Sequence, residues 1–190
     1  MQHDVERWNR KYQTGNPNPD FAPDSLLASH AHLLDGKGAA LDLACGVGHN
    51  AIFLAQRGYD VTAIDGSETG LHYCREQIRK MPLRIQLIAA DLERIALPRD
   101  FFDVVLVVRY LHRPLVAQIK NTLKPGGTVI YKTFNVNHLR EKPEFNREYL
   151  LEHGELREWF SGYEAVATND PAQLDDAVTW LIARKPSAAM

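Results

Sequence analysis

Short apolar runs alternate along the chain with stretches whose apolar residues recur at helical spacing. The apolar runs cover residues 39–43, 59–64, 83–89, 102–108 and 128–134. Several are continuously apolar, as strands buried on both faces of a parallel sheet should be. Between them, residues 51–57 read as a short helix that stops at Gly58, a natural C-terminal breaker. Leu71, Cys74, Ile78 and Met81 mark a second helical face, with Ser67 as N-cap and Pro82 as stop. Leu115, Val116, Ile119 and Leu123 mark a third, closed by Lys124-Pro125-Gly126-Gly127. Two further strand candidates, 163–168 and 177–183, lie too close together for a crossover helix and should pair antiparallel. The pattern predicts an α/β fold: a Rossmann-like, doubly wound, seven-stranded sheet with an antiparallel terminal hairpin.

At 190 residues the chain has the length of one ordinary α/β domain. The expectation is a single domain over 1–190, with 1–35 as an N-terminal helical arm and 135–160 as a helical lid or substrate insertion. Hydrophobic residues are 45% of the chain and charged residues 24%, a globular composition. The balance of 22 Lys+Arg against 24 Asp+Glu leaves −2, which argues weakly against a duplex nucleic-acid binder. Two cysteines, Cys45 and Cys74, make neither a disulfide scaffold nor a zinc site, so they read as buried thiols and no metal is expected. The first residues have no signal-peptide core, and no run reaches the 18 or more apolar residues of a membrane span. The expectation is a cytoplasmic protein without a membrane partner.

The chemistry concentrates where the first apolar run meets Leu41-Asp42-Leu43-Ala44-Cys45-Gly46-Val47-Gly48-His49-Asn50-Ala51. Small residues allow a sharp turn and close approach of a ligand. A helix start behind it offers N–H groups to a phosphate or a carboxylate. The second run ends at Asp65, an acid placed to accept from ribose hydroxyls. The third ends at Asp91-Leu92, where an acid could face an adenine amino group and an apolar side chain could flank the base. Taken alone, Asp42 or Asp91 reads first as a turn former or helix cap. Gly46 to Ala51 also satisfies a dinucleotide fingerprint, so an NAD(P)-dependent oxidoreductase stays open, as does a non-catalytic cofactor-binding module.

The ordered set of Asp42, the glycine turn, Asp65, Asp91, the Pro-Gly-Gly break and the terminal hairpin resembles the class I S-adenosylmethionine-dependent methyltransferase family. The resemblance implies S-adenosyl-L-methionine as cofactor. Asp42, Ala44, Gly46 and Gly48 would surround its methionine portion, Asp65 and Gly66 its ribose, and Asp91 and Leu92 its adenine. Val108 and Arg109 would lie beside the methionine part and the methyl acceptor. The family's first glycine is Ala44 here. Trp8 and Tyr12, at i and i+4, are either ordinary helix packing or an aromatic segment folded over the cofactor.

After the fourth strand, Arg109-Tyr110-Leu111-His112-Arg113-Pro114 lacks the Asp/Asn-Pro-Pro-aromatic motif of base-N methyltransferases, and no Pro-Cys nucleophile occurs. This argues against DNA and, less firmly, against RNA, and favours a small-molecule acceptor. Arg109 and His112 are the candidate acceptor contacts. Asn135 and Asn137 add polar groups, and Arg113, His138 and Arg140 could join Arg109 and His112 in a positive cluster for an anionic acceptor; the polar stretch 135–148 could be a mobile lid. Residues 8–12, Leu41 to Gly46, Asn50-Ala51, Gly58 to Ala63 and Gly154-Glu155-Leu156-Arg157 are similar to the tellurite-resistance methyltransferases. That resemblance implies thiols or tellurite- and selenite-like oxyanions among the acceptors. The oligomeric state is not legible.

Overall fold

A computed structural model describes residues 2–14, 22–173 and 175–187. They fall into two compact units, Met1–Ala96 and Leu97–Met190. Seven strands form the Rossmann-like α/β arrangement that the alternation predicts.

The first unit carries α1 (Gln2–Thr14), α2 (Ser25–Ser29), β1 (Ala39–Leu43), α3 (His49–Gln56), β2 (Asp60–Asp65), α4 (Glu68–Ile78) and β3 (Ile85–Ala89). β1 pairs parallel with β2, and β2 with β3. Ala40, Leu41 and Leu43 are fully buried, which is why β1 reads as continuously apolar save for Asp42. α4 starts as predicted: the Ser67 hydroxyl accepts from the Gly70 N–H at 3.0 Å. It ends at Ile78, so Met81 lies beyond the helix and is exposed. A residue before proline is pushed out of the helical region, so the periodicity continues through Met81 but the helix cannot.

The second unit carries β4 (Phe102–Val108), α5 (Val116–Thr122), β5 (Leu123–Phe134), α6 (Glu155–Trp159), β6 (Glu164–Thr168) and β7 (Val178–Arg184). β5 runs parallel to β4 and antiparallel to β7, and β6 and β7 form the antiparallel pair. Leu123 belongs to the strand rather than to the preceding helix. Its partner is Phe102, while Val104 pairs with Thr128. The Lys124-Pro125-Gly126-Gly127 segment is thus taken up as an irregularity within β5, and Lys124 Nζ meets Asp103 Oδ2 at 2.8 Å.

Residues 135–160 form short 3-10 turns, Val136–Arg140 and Arg147–Tyr149, followed by α6. The polar residues that open this stretch are structural. Asn135 is fully buried and its amide donates to Asp176 O (2.8 Å) and Thr179 Oγ1 (3.0 Å). Asn137 donates to Gln173 O (3.0 Å) and Asp176 O (3.1 Å). A bridge between Asn135 and Leu151 returns the far end of the stretch to the same place. Buried carbonyls require donors, and these amides supply them.

Candidate functional site

The turn between β1 and α3 is built by backbone geometry. Ala44, Gly46 and Gly48 all have positive φ, at 61°, 56° and 84°. Gly48 is required twice over: its left-handed backbone disfavours any other residue, and a side chain there would overlap Cys74 Sγ. At Gly70, in the first turn of α4, a Cβ would stand 2.9 Å from the Gly46 carbonyl oxygen. The turn and α4 are therefore in direct backbone contact.

The turn's N–H groups are largely spoken for. Cys45 donates to Ile64 O (3.1 Å) and Gly48 to Cys45 O (2.9 Å). Gly46 donates to Asp65 Oδ2 at 2.7 Å. The other carboxylate oxygen of Asp65 accepts from Ser67 N at 2.7 Å. Burial raises the Asp65 carboxyl above its ordinary range, against the opposing pull of the Ser67 and Gly46 amides. Asp65 still has unused lone pairs, since an ionised carboxylate offers about four.

Asp42, at 1% exposure, lies deeper. It accepts from the Ala51 backbone at the start of α3, but its Oδ2 has no protein partner. Burial first, and then the charge of Asp65, push it up to about 7. The turn is thus rich in acceptors. Cys45, Gly46 and Gly48 have no N–H left for an anion, because Ile64 and Asp65 of β2 and the turn itself take them. Two buried carboxylates fit a ligand that brings donors and positive charge. The ammonium, sulfonium and ribose hydroxyls of S-adenosylmethionine are such a set, and a pyrophosphate is not.

The remaining predicted positions of this unit are arranged as follows. Asp91 is exposed and forms a local turn, its Oδ1 accepting from Glu93 N at 2.9 Å. Leu92 is buried. A Cβ on Gly66 would stand 3.0 Å from Val5 Cγ2 of α1. Trp8 and Tyr12 stack on each other with ring centroids 5.7 Å apart. A Cβ on Gly46 would stand 2.5 Å from the Tyr12 hydroxyl, so the phenol rests on the turn itself. Burial pushes both thiols up, Cys74 to about 12, which suits inert packing. Sequence reasoning missed Asn9, whose Oδ1 accepts from Ser67 Oγ at 2.6 Å. Its position next to Trp8, in the segment that carries the resemblance, is the signal that points to it.

In the second unit, Val108 ends β4 and Arg109 follows with φ 58°, exposed, its N–H donating to Lys132 O at 2.8 Å. His112 is half-buried and caps the next turn through its backbone carbonyl, which accepts from Leu115 N. Arg113 is not available to an acceptor. Its guanidinium forks onto Glu155 (2.6 and 2.9 Å) and donates to Glu148 O and Leu150 O (both 2.9 Å). Nor is His138, which is buried, stacked on Phe134 (4.3 Å) and edge-on to Phe145 (5.0 Å). The predicted positive cluster loses these two members because local packing needs them. Among the described residues, no group of three or more His, Cys, Asp or Glu could hold a metal, and no helix is long and apolar enough to cross a membrane.

Residues 40–127, which contain this turn, match a family described as a methyltransferase domain. The chain is 26% identical over 170 residues to a probable S-adenosyl-L-methionine-dependent methyltransferase, TehB, of Haemophilus influenzae, covering 86% of this chain and 56% of the relative. It is 34% identical over 140 residues to a ubiquinone biosynthesis O-methyltransferase of Stutzerimonas stutzeri, covering 70% of this chain and 60% of that protein. Among solved structures, an S-adenosylmethionine-dependent methyltransferase from Aquifex aeolicus shares the fold with a TM-score of 0.67 at 17% identity, covering 97% of this chain and 98% of that one. The chain spans about half the length of the first curated relatives it matches.

Proposed function

We propose that this chain is a class I S-adenosylmethionine-dependent methyltransferase and catalyses methyl transfer to a small-molecule acceptor, a reading supported by the methyltransferase-domain match and the methyltransferase relatives. One observation supports the choice of cofactor: the glycine turn has spent the N–H groups of Cys45, Gly46 and Gly48 on protein partners and has two buried carboxylates, Asp42 and Asp65, beside it. That balance favours a cationic cofactor over a nicotinamide dinucleotide, whose pyrophosphate needs free N–H groups.

When bound, S-adenosylmethionine supplies an electrophilic methyl group on a sulfonium. Asp65 holds the ribose with its remaining lone pairs, and Gly66 borders the sugar. Asp42, Ala44, Gly46 and Gly48 surround the methionine part, with the open oxygen of Asp42 taking a donor. Leu92 flanks the adenine, and Asp91 accepts from its amino group while keeping its turn. Trp8 and Tyr12 cover the site and exclude water. The family pattern assigns Val108 and Arg109 to the methionine side. Arg109 and His112 orient the acceptor by position in the family pattern. A sulfonium leaving group needs alignment more than a base, worth roughly 7–11 kcal/mol when geometry is ideal.

The acceptor is proposed to be a thiol or a tellurite- or selenite-like oxyanion, from the resemblance of residues 8–12, 41–46 and 154–157 to the tellurite-resistance methyltransferases. Calorimetric titration with S-adenosylmethionine and S-adenosylhomocysteine tests the cofactor, with NAD(P)H fluorescence as the contrast. Binding of the first pair and silence of the second are expected. Methyl transfer from labelled cofactor to thiol, oxyanion and phenol panels then tests the acceptor. Turnover confined to phenols would overturn the thiol and oxyanion assignment.

A further inference from the structure

We infer that Asn9 is a positioning residue that clasps α1 onto the cofactor site and sets how long the cofactor stays bound. The inference rests on the cofactor reading above.

α1 is a polar helix. Val5, Trp8 and Tyr12 are its only large apolar residues in the described part, and with Asn9 they fall on one face at spacings of three and four. That face lies on the ligand-binding end of the first unit: Val5 against Gly66, and Tyr12 against Gly46 and Gly70. So small an apolar stripe holds a helix weakly. Asn9 adds a specific bond to a buried group. Its Oδ1 accepts from Ser67 Oγ at 2.6 Å and from Thr69 N at 3.4 Å.

Ser67 is 1% exposed and each of its polar groups is committed. Its N–H donates to Asp65 Oδ1 (2.7 Å), and its oxygen accepts from Gly70 N (3.0 Å). Its hydroxyl hydrogen is left with Asn9 as its acceptor. A continuous chain of hydrogen bonds therefore runs from Asn9 through Ser67 to Asp65, and from Asp65 to Gly46. A ligand that fixes Asp65 fixes Ser67, and Ser67 fixes α1. The reverse also holds: freeing α1 strips the cover of Tyr12 from the turn. Cofactor binding and α1 docking are linked by this clasp, and by reciprocity each strengthens the other.

The test is stopped-flow release of S-adenosylhomocysteine from the full chain, its Asn9→Ala variant and its Asn9→Asp variant, together with hydrogen exchange of α1 with and without that ligand. Asn9→Ala should release it about tenfold faster, with association little changed, because one buried donor loses its acceptor. Asn9→Asp keeps an acceptor at the start of α4, where the helix end favours negative charge, and should stay within about threefold of the parent. Exchange across α1 should slow when the ligand binds the parent chain. Equal release by parent and Asn9→Ala, equal acceleration in both variants, or α1 exchange indifferent to ligand would overturn the clasp while leaving the cofactor reading intact. No binding by the parent would overturn both.

Discussion

The Gly46 N–H donates to Asp65 Oδ2 across 2.7 Å, joining the turn after β1 to the last residue of β2. The carboxylate that the family pattern assigns to a ribose is therefore also the brace of the glycine turn. Replacing it should harm two measurable properties at once. Asp65→Ala should lower the melting temperature of the ligand-free protein and weaken S-adenosylhomocysteine by at least about 100-fold, since hydrogen bonds to a charged acceptor are worth about 1.5–3 kcal/mol each. Calorimetry showing parental affinity would remove the ribose assignment.

Asp42 makes the site sensitive to pH. Its folded value of about 7 lies above its ordinary one, so the native state holds a proton that the unfolded chain gives up. Stability should therefore be full at pH 4 and below as far as this group is concerned, and fall as pH rises from about 4 to 7, by at most about 4 kcal/mol. Asp42→Asn should flatten that slope in urea melts taken across this range. A ligand ammonium beside the open oxygen should expel the proton, so near pH 6.5 the binding enthalpy should change with buffer ionisation enthalpy. A buffer-independent enthalpy in the parent would exclude the linkage.

Ala44 carries a strained backbone at φ 61° where glycine would be at ease. Ala44→Gly should stabilise the protein by about 1 kcal/mol, seen as a rise of about 2–4 °C in melting temperature. A drop in melting temperature would show that the methyl group packs usefully enough to outweigh the strain.

Gly48→Ala should be among the most damaging single changes in the first unit, since it combines a left-handed backbone with a collision against Cys74 Sγ. A loss of about 3 kcal/mol or more is expected. Adding Cys74→Ala removes the colliding sulfur and should restore part of it, leaving the backbone strain. Additive losses in chemical denaturation would refute the contact.

Arg113 separates a structural from a ligand-binding role. Its fork onto Glu155 and its bonds to two carbonyls hold residues 148–155 in place. Arg113→Lys cannot reproduce that geometry and should cost about 2 kcal/mol of stability. The outcome against this reading is an unchanged melting curve with a raised KM for the acceptor.

Most strands and both main motifs were legible from the chain because each is a local pattern. Residues 39–43 and 102–108 coincide with β1 and β4, since a strand buried on both faces is apolar at nearly every position, Asp42 and Asp103 being the exceptions. Ser67 was legible as a cap because capping is settled within four residues. Lys124 to Gly127 was legible only as a helix stop. That its residues are absorbed into β5 depends on the register with β4, which no local rule contains.

By itself the sequence determined which elements form, their order, and the residue types gathered at the turn: Asp42, Ala44, Gly46, Gly48 and Asp65. Tertiary structure alone decided what those groups have left to offer a ligand. Asp65 takes the Gly46 N–H, Asp42 keeps one oxygen open, Asn135 and Asn137 go to buried carbonyls, and Arg113 goes to Glu155. The reason is that a polar group's free valence is what remains after folding has satisfied its neighbours. Those neighbours come from distant parts of the chain.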